Sequence, residues 1–321
     1  MDLEFGLTYC QWLLNHNLKI VSHYLERAQY FLFVTLRNLG NECDKPFTST
    51  TLTLWVMLIV ILLSVIYHLY RKVLGVFLKR MTLPMLYRRH LTKTLWNAGF
   101  CINAILFCIT KLLERANHVA DIFFNVDNSF RTEQTSPAHV LFSCVIFAYY
   151  IHSICLMYVQ KGIDTEFFAK GLLLTFLYTC YSLRYVRTGL SAVVLINVYS
   201  LNVEFMRICY CLNQSKATKS GFMRNLTCAL FVIHCVLWGG MFLLVLPKFY
   251  LLPAINIEVS DENLLLLTVL CATLWAYLWL GISNAPAVKL VRYYAWPGYA
   301  YGHCDWLDYV LFVPQSDVIQ N

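Results

Sequence analysis

The chain has 321 residues, 59% of them hydrophobic and only 13% charged, with a formal net charge of +7. Soluble domains charge about a quarter of their residues, so this composition excludes an ordinary soluble globule. The modest positive excess fits the topology of a membrane protein better than nucleic-acid binding.

In chain order, residues 3–38 come first, and their apolar positions are interrupted by Asn15, His16, Asn17, Lys19, Glu26 and Arg27. Charges buried in hydrocarbon are costly, so this stretch is expected to lie at the interface as an amphipathic helix. "PFTSTT" (46–51) ends it and supplies an N-cap for the first long apolar run. No cleavable signal is visible ahead of that run, which is expected to direct insertion itself. Runs near the roughly 20 residues that cross a hydrocarbon core recur at 51–70, 94–113, 138–159, 168–186, 190–212, 223–246 and 264–283. They predict an all-α polytopic transmembrane bundle of seven spans, or eight if residues 3–38 also cross. The expected organisation is an N-terminal segment (1–50), a first span with a basic loop (51–93), a six-helix bundle (94–285) and an aromatic tail (286–321).

Orientation follows from the excess of Lys and Arg on the cytosolic side. Arg71, Lys72, Lys79, Arg80, Arg88, Arg89 and Lys93 mark the loop after the first span as cytosolic. Glu114, Asp121, Asp127 and Glu133 then suit the lumen, and the alternation continues through Lys161, Lys170, Lys216, Lys219 and Arg224. The expectation is a lumenal N-terminus and a cytosolic C-terminus, with the sequons at Asn213 and Asn225 on the cytosolic side or just inside a span and so unglycosylated.

Thirteen cysteines fall mostly inside apolar runs, where Cys acts as a small buried hydrophobe. No repeated CxxC occurs, so neither a zinc nor a redox site is indicated. The tail "YYAWPGYAYGHCDWLDYVLF" (293–312) reads as an aromatic belt on the cytosolic leaflet or as a partner-docking segment. Its "HCD" lacks the further ligands a metal needs, and no metal or cofactor is expected.

The stretch "VVLINVYSLNVEFMRICYCLN" (193–213) is the informative one. Asn197, Ser200, Glu204 and Arg207 follow i, i+3, i+7, i+10 spacing, which puts all four on one helix face, with Glu204 and Arg207 close enough to pair. A charge at the membrane centre costs about 2.5–3.5 kcal/mol on insertion scales, so the face should look into the bundle or into a hydrated groove. It is either a functional surface or a structural ion pair. His152, mid-span in "YYIHSICLMYVQK", is a candidate partner in that cavity or a hydrogen-bonded core residue. Gly239–Gly240 would permit close helix approach.

"YYIHSICLMYVQK" (149–161), "FLFVTLRN" (31–38) and "RICYCLN" (207–213) resemble corresponding segments of the translocating-chain-associated membrane proteins, the TRAM family. The intervening helices are similar to the TLC fold which that family shares with ceramide synthases, and the resemblance extends over roughly residues 30–290. Placed against the synthases, their paired histidines fall at Ala169 and Lys170, their His-Asp pair at Ile196 and Asn197, and a further Asp at Ser200. Acyl transfer needs a positioned base or nucleophile, which these residue types do not supply, so no enzyme is expected.

The resemblance implies a non-enzymatic protein of the endoplasmic reticulum membrane that assists translocation or insertion of nascent chains beside the Sec translocon. Its implied partners are signal sequences, transmembrane segments and membrane lipids, with nucleic acid limited to ribosome contact. The alternative is a lipid-binding or lipid-modifying TLC protein; a purely structural subunit is the third reading. The family's long basic tail is absent here, and residues 3–38 replace its first span.

Overall fold

The computed structural model describes residues 50–80, 83–113, 137–161, 163, 165–214, 221–257, 263–295 and 306–312. The segment 3–38, the acidic positions 114–133 and "HCD" (303–305) lie outside the described residues.

Every described element is helical: α1 (Thr50–Lys79), α2 (Met85–Leu113), α3 (Pro137–Lys161), α4 (Thr165–Ser182), α5 (Val186–Asn213), α6 (Gly221–Gly239), α7 (Leu264–Ser283), α8 (Pro286–Ala295) and α9 (Trp306–Phe312). A π-helical stretch, Gly240–Leu251, prolongs α6, and Leu252–Ile255 closes it as a last α turn. Lipid offers backbone groups no partners, so a chain this apolar satisfies them within helices. Six of the helices are long and apolar enough to cross a membrane: α1, α2, α3, α5, the prolonged α6, and α7. The chain is a multi-pass helical membrane protein. The remaining predicted span, 168–186, exists as α4, but it is only 18 residues long and has Glu166 and Lys170 near its start, so it is not among the six.

The expected basic loop is not a loop. α1 continues to Lys79 and α2 begins at Met85, so Arg71, Lys72 and Lys79 sit on the end of one helix and Arg88, Arg89 and Lys93 on the start of the next. Lys and Arg are good helix formers, and nothing breaks the chain until Pro84, whose carbonyl accepts from the Arg88 amide at 3.1 Å. Cations also suit the last turn of α1, where the helix dipole is negative.

α5 is the centre of the bundle. It packs most extensively on α2 and then on α6, while α4 lies on α7 and α1 on α3. α3 and α5 bury the largest share of their spans and α1 the smallest; α1 leaves Leu58, Ile61, Leu62, Val65 and Leu69 exposed, as a lipid-facing helix would. A tight turn joins α4 to α5: the Tyr185 amide bonds Cys180 O at 2.8 Å and the Arg184 amide bonds Tyr181 O at 3.1 Å. Arg184 takes φ 59° there, the left-handed cap that normally selects glycine.

The glycine pair at 239–240 plays a different part from the one expected. A Cβ on either would meet nothing within 4 Å, so no neighbour approaches closely there. The pair instead marks the change from α to π winding. Pro247 lies inside the π stretch, where the wider turn accommodates a ring that would collide with the carbonyl four residues back in an α-helix. Close approach occurs at Gly281 of α7: the Phe242 ring occupies the place its Cβ would take, and Trp238 Nε1 donates to Gly281 O at 2.9 Å.

Part of the tail packs on the bundle: Leu307, Val310 and Leu311 of α9 are buried with Met206, Tyr210 and Phe231 of α5 and α6.

The glycine geometry sets a test. Gly281→Ala should lower thermal stability in detergent by about 1–3 kcal/mol through overpacking, with Phe242→Leu restoring part of it. Gly239→Ala should leave the melting temperature unchanged or slightly raised. Equal behaviour of the two alanine variants would contradict the packing described.

Candidate functional site: a polar cavity and a basic cleft

Two concavities meet on the α5 stripe. α5 carries no proline, and its only glycine is Gly189 in the first turns, so it holds its polar positions in strict helical register over 28 residues. Asn197 and Glu204 are buried, Ser200 is half-buried, and the Arg207 side chain is partly covered.

Glu204 is the best-connected member. Its Oε1 accepts from Asn97 Nδ2 at 3.0 Å and from Arg207 Nη1 at 3.2 Å. Tyr149 OH donates to Asn97 Oδ1 at 3.0 Å, and Arg207 Nε donates to Leu311 O at 3.1 Å. One chain of bonds thus joins α3, α2, α5 and α9. The Phe100 ring stacks on Tyr149 beside it. Hydrogen bonds to a charged group contribute about 1.5–3 kcal/mol each, more than neutral pairs, because the surroundings do not screen them. Glu204 Oε2 is buried without a hydrogen-bond partner among the described residues.

On one side of this chain lies a cavity of about 240 Å³ between α4, α5, α6, α7, α8 and α9. Ser200, Glu204 and Arg207 line it with Lys170, His234 and Lys289. Ala169 and Ile196, at places where the resemblance puts catalytic histidines, also face it. Lys170 is engaged: its Nζ donates to Ser153 Oγ at 2.7 Å and lies 3.4 Å from Glu166. Asn197 is not on the wall; its Nδ2 donates to Val193 O of its own helix at 2.8 Å.

His152 also lies elsewhere. It sits on α3 with its ring edge-on to Tyr67 at 5.7 Å, and neither ring nitrogen has a hydrogen-bond partner among the described residues. The histidine on the cavity wall is His234 of α6, whose Nε2 is 3.4 Å from Tyr199 OH. Asn97, Tyr149, Asn202 and His234 were not singled out by the sequence reading. Each is a polar residue inside an apolar run, and that signal alone was available.

On the other side, toward α1 and α2, opens a larger cleft of about 700 Å³. Arg71, Lys79, Arg88, Arg89 and Lys93 line it, while Lys72 and Arg80 do not. Glu166, Arg207 and Leu311 belong to both concavities and form the partition between them.

The bond chain predicts a coupling. In a double-mutant cycle with Asn97→Ala and Glu204→Ala, the two losses of stability should be non-additive by about 1–3 kcal/mol. Glu204→Ala alone should cost about 3–5 kcal/mol, because it leaves Arg207 uncompensated. Thermal unfolding in detergent measures both, and strict additivity would deny the bond.

No protein-family model matches this chain, and no curated protein matches it.

Proposed function

We propose that this chain is a non-enzymatic protein of the endoplasmic reticulum membrane that helps nascent secretory and membrane chains to translocate or insert beside the Sec translocon. The observation that carries the reading is the polar cavity, with Ser200, Glu204, Arg207 and Lys170 facing a space of about 240 Å³ inside an otherwise apolar bundle. A nascent segment with a polar residue costs about 2.5–3.5 kcal/mol to insert at the bilayer centre. A neighbour that presents partners for that residue lowers the cost. The resemblance to the TRAM family supports the same reading.

The orientation belongs to this proposal. The cations on the facing ends of α1 and α2 support a cytosolic position for that end, by the positive-inside bias. Glu166, Arg207 and Leu311 line both the cavity and the basic cleft, so the cavity adjoins the same end, where segments leave the ribosome. The N-terminus is then lumenal and the C-terminus cytosolic, with seven spans if α4 crosses.

Absence of turnover rests on residue type. At the synthase positions stand Ala169, Lys170, Ile196, Asn197 and Ser200, and Lys170 is held by Ser153 and Glu166. One observation favours a second reading, lipid binding or acyl transfer: His234 and Glu204 line the same cavity.

A photo-crosslinker at position 200, in microsomes carrying a stalled radiolabelled secretory chain, tests the proposal. The expected product is a crosslink to the nascent chain. Filling the cavity with Ser200→Phe should lower insertion of a marginally hydrophobic segment several-fold, the scale set by one polar residue, and spare a strongly hydrophobic one. Crosslinks to lipid alone, with insertion unchanged, would overturn it in favour of the second reading.

A further inference from the structure

The basic cleft adjoins the polar cavity across Glu166, Arg207 and Leu311, but its other cations lie outside that cavity, and translocation assistance does not require them. α1 has 30 residues and α2 has 29, so each is about 44 Å long. The hydrocarbon core is about 30 Å thick. Each helix therefore overhangs the apolar layer by several turns, and the overhang is where the cations sit. Arg71 and Lys79 come from α1, Arg88, Arg89 and Lys93 from α2, and Arg207 from α5.

Three observations describe what the cleft would hold. Charge is the first. Among the described residues lining it, Glu166 is the one carboxylate, and that carboxylate already pairs with Lys170. Arg88 Nε is buried without a hydrogen-bond partner among the described residues, a donor that an incoming acceptor would satisfy. Room is the second. On α1 the lining positions are Tyr67, Arg71, Gly75 and Lys79, four residues apart on one face. The third of these is a glycine whose Cβ would meet nothing within 4 Å. A cleft of about 700 Å³ is the size of sites that enclose a whole small molecule, well beyond one phosphate.

Depth is the third, and it selects the source of the anion. Met85 and Leu86 stand exposed on the rim, and Val65, Ile66 and Leu69 are exposed on α1 just before the basic turns. An anion bound here sits at the ends of two helices that overhang the apolar layer, with the exposed apolar flank of α1 beside the cleft rather than under it. We infer that this cleft is a binding site for an anionic phospholipid with a bulky phosphorylated headgroup, of the phosphoinositide class, whose acyl chains run down the exposed face of α1. Guanidinium groups suit such a headgroup because their planar forks match phosphate oxygens, and juxtamembrane cations are drawn to anionic leaflets.

The test uses the full-length protein purified in detergent and native mass spectrometry. Phosphatidylinositol 4-phosphate is titrated against dioleoyl phosphatidylcholine, with inositol trisphosphate and a twenty-nucleotide uridine RNA as soluble comparisons. Wild type should bind the phosphoinositide roughly tenfold or more tightly than the phosphatidylcholine. Gly75→Phe fills the cleft without changing net charge, and should lower that affinity roughly tenfold. Arg88→Gln combined with Arg89→Gln should lower it at least as far, while Lys72→Gln, off the cleft wall, should not. Wild-type binding by Gly75→Phe would mean diffuse surface attraction and overturn the inference. Tighter binding of inositol trisphosphate than of the lipid, or of the RNA than of either, would overturn the lipid assignment. The readout contains no nascent chain, so its failure leaves the translocation reading untouched, and the reverse also holds.

Discussion

A single carboxylate oxygen organises the interior. Glu204 Oε1 receives Asn97 from α2 and Arg207 from its own helix, and Asn97 in turn receives Tyr149 from α3. In a bilayer such a carboxylate is tolerated only where other helices bring donors to it. The requirement runs both ways, because donors and acceptor fix the rotation of α2, α3 and α5 about their axes. Apolar packing alone is permissive: lipid tails are as apolar as leucine, so it gives little reason to prefer one rotation over another. The polar chain removes that freedom. It also seats α9, since Arg207 spends its Nε on the Leu311 carbonyl.

The two concavities follow from this arrangement. Arg207, Glu166 and Leu311 stand between them, so the guanidinium that completes the buried pair also closes the wall of the basic cleft. Helix length supplies the rest. α1 and α2 outrun the hydrocarbon layer, and their surplus turns carry the cations as ordered helix faces. Charges that a flexible loop would scatter are held on one helix face, Arg71 and Lys79 on either side of Gly75, opposite Arg88 and Arg89 across the cleft. The polar cavity is bounded on its far side by α6 and α7, whose contact is set by Phe242 against Gly281 and by the Trp238 bond to the Gly281 carbonyl. The π winding from Gly240 carries Pro247 without breaking the helix.

Much of this architecture was legible before any coordinates. Apolar runs predict helices because a membrane leaves backbone groups no other partner, and each described run did form one, though the helices expected at 51–70, 94–113 and 223–246 each extend about nine residues beyond one bound. The ends were misjudged where charge was taken as a sign of loop: Arg71 to Lys79 and Arg88 to Lys93 are helical, since Lys and Arg favour a helix. The stripe was legible too, because i, i+3 spacing is a local property, and Glu204 and Arg207 pair at 3.2 Å.

What one helix cannot specify is its partners. Asn97 lies 107 positions from Glu204, and no local pattern ties an amide in one apolar run to a carboxylate in another. The same limit explains the histidines. His152 and His234 look alike in sequence, each polar within an apolar run, yet one meets Tyr67 and the other the cavity wall. Sequence by itself determined the helical membrane class, the amphipathic face of α5 and the charged ends of α1 and α2, all consequences of bilayer thickness and helical period. Tertiary structure alone decided which oxygen receives which donor, where the tail docks and that the cations enclose a cleft. Those depend on how helices rotate against one another, and that rotation is settled by contacts between residues far apart in the chain.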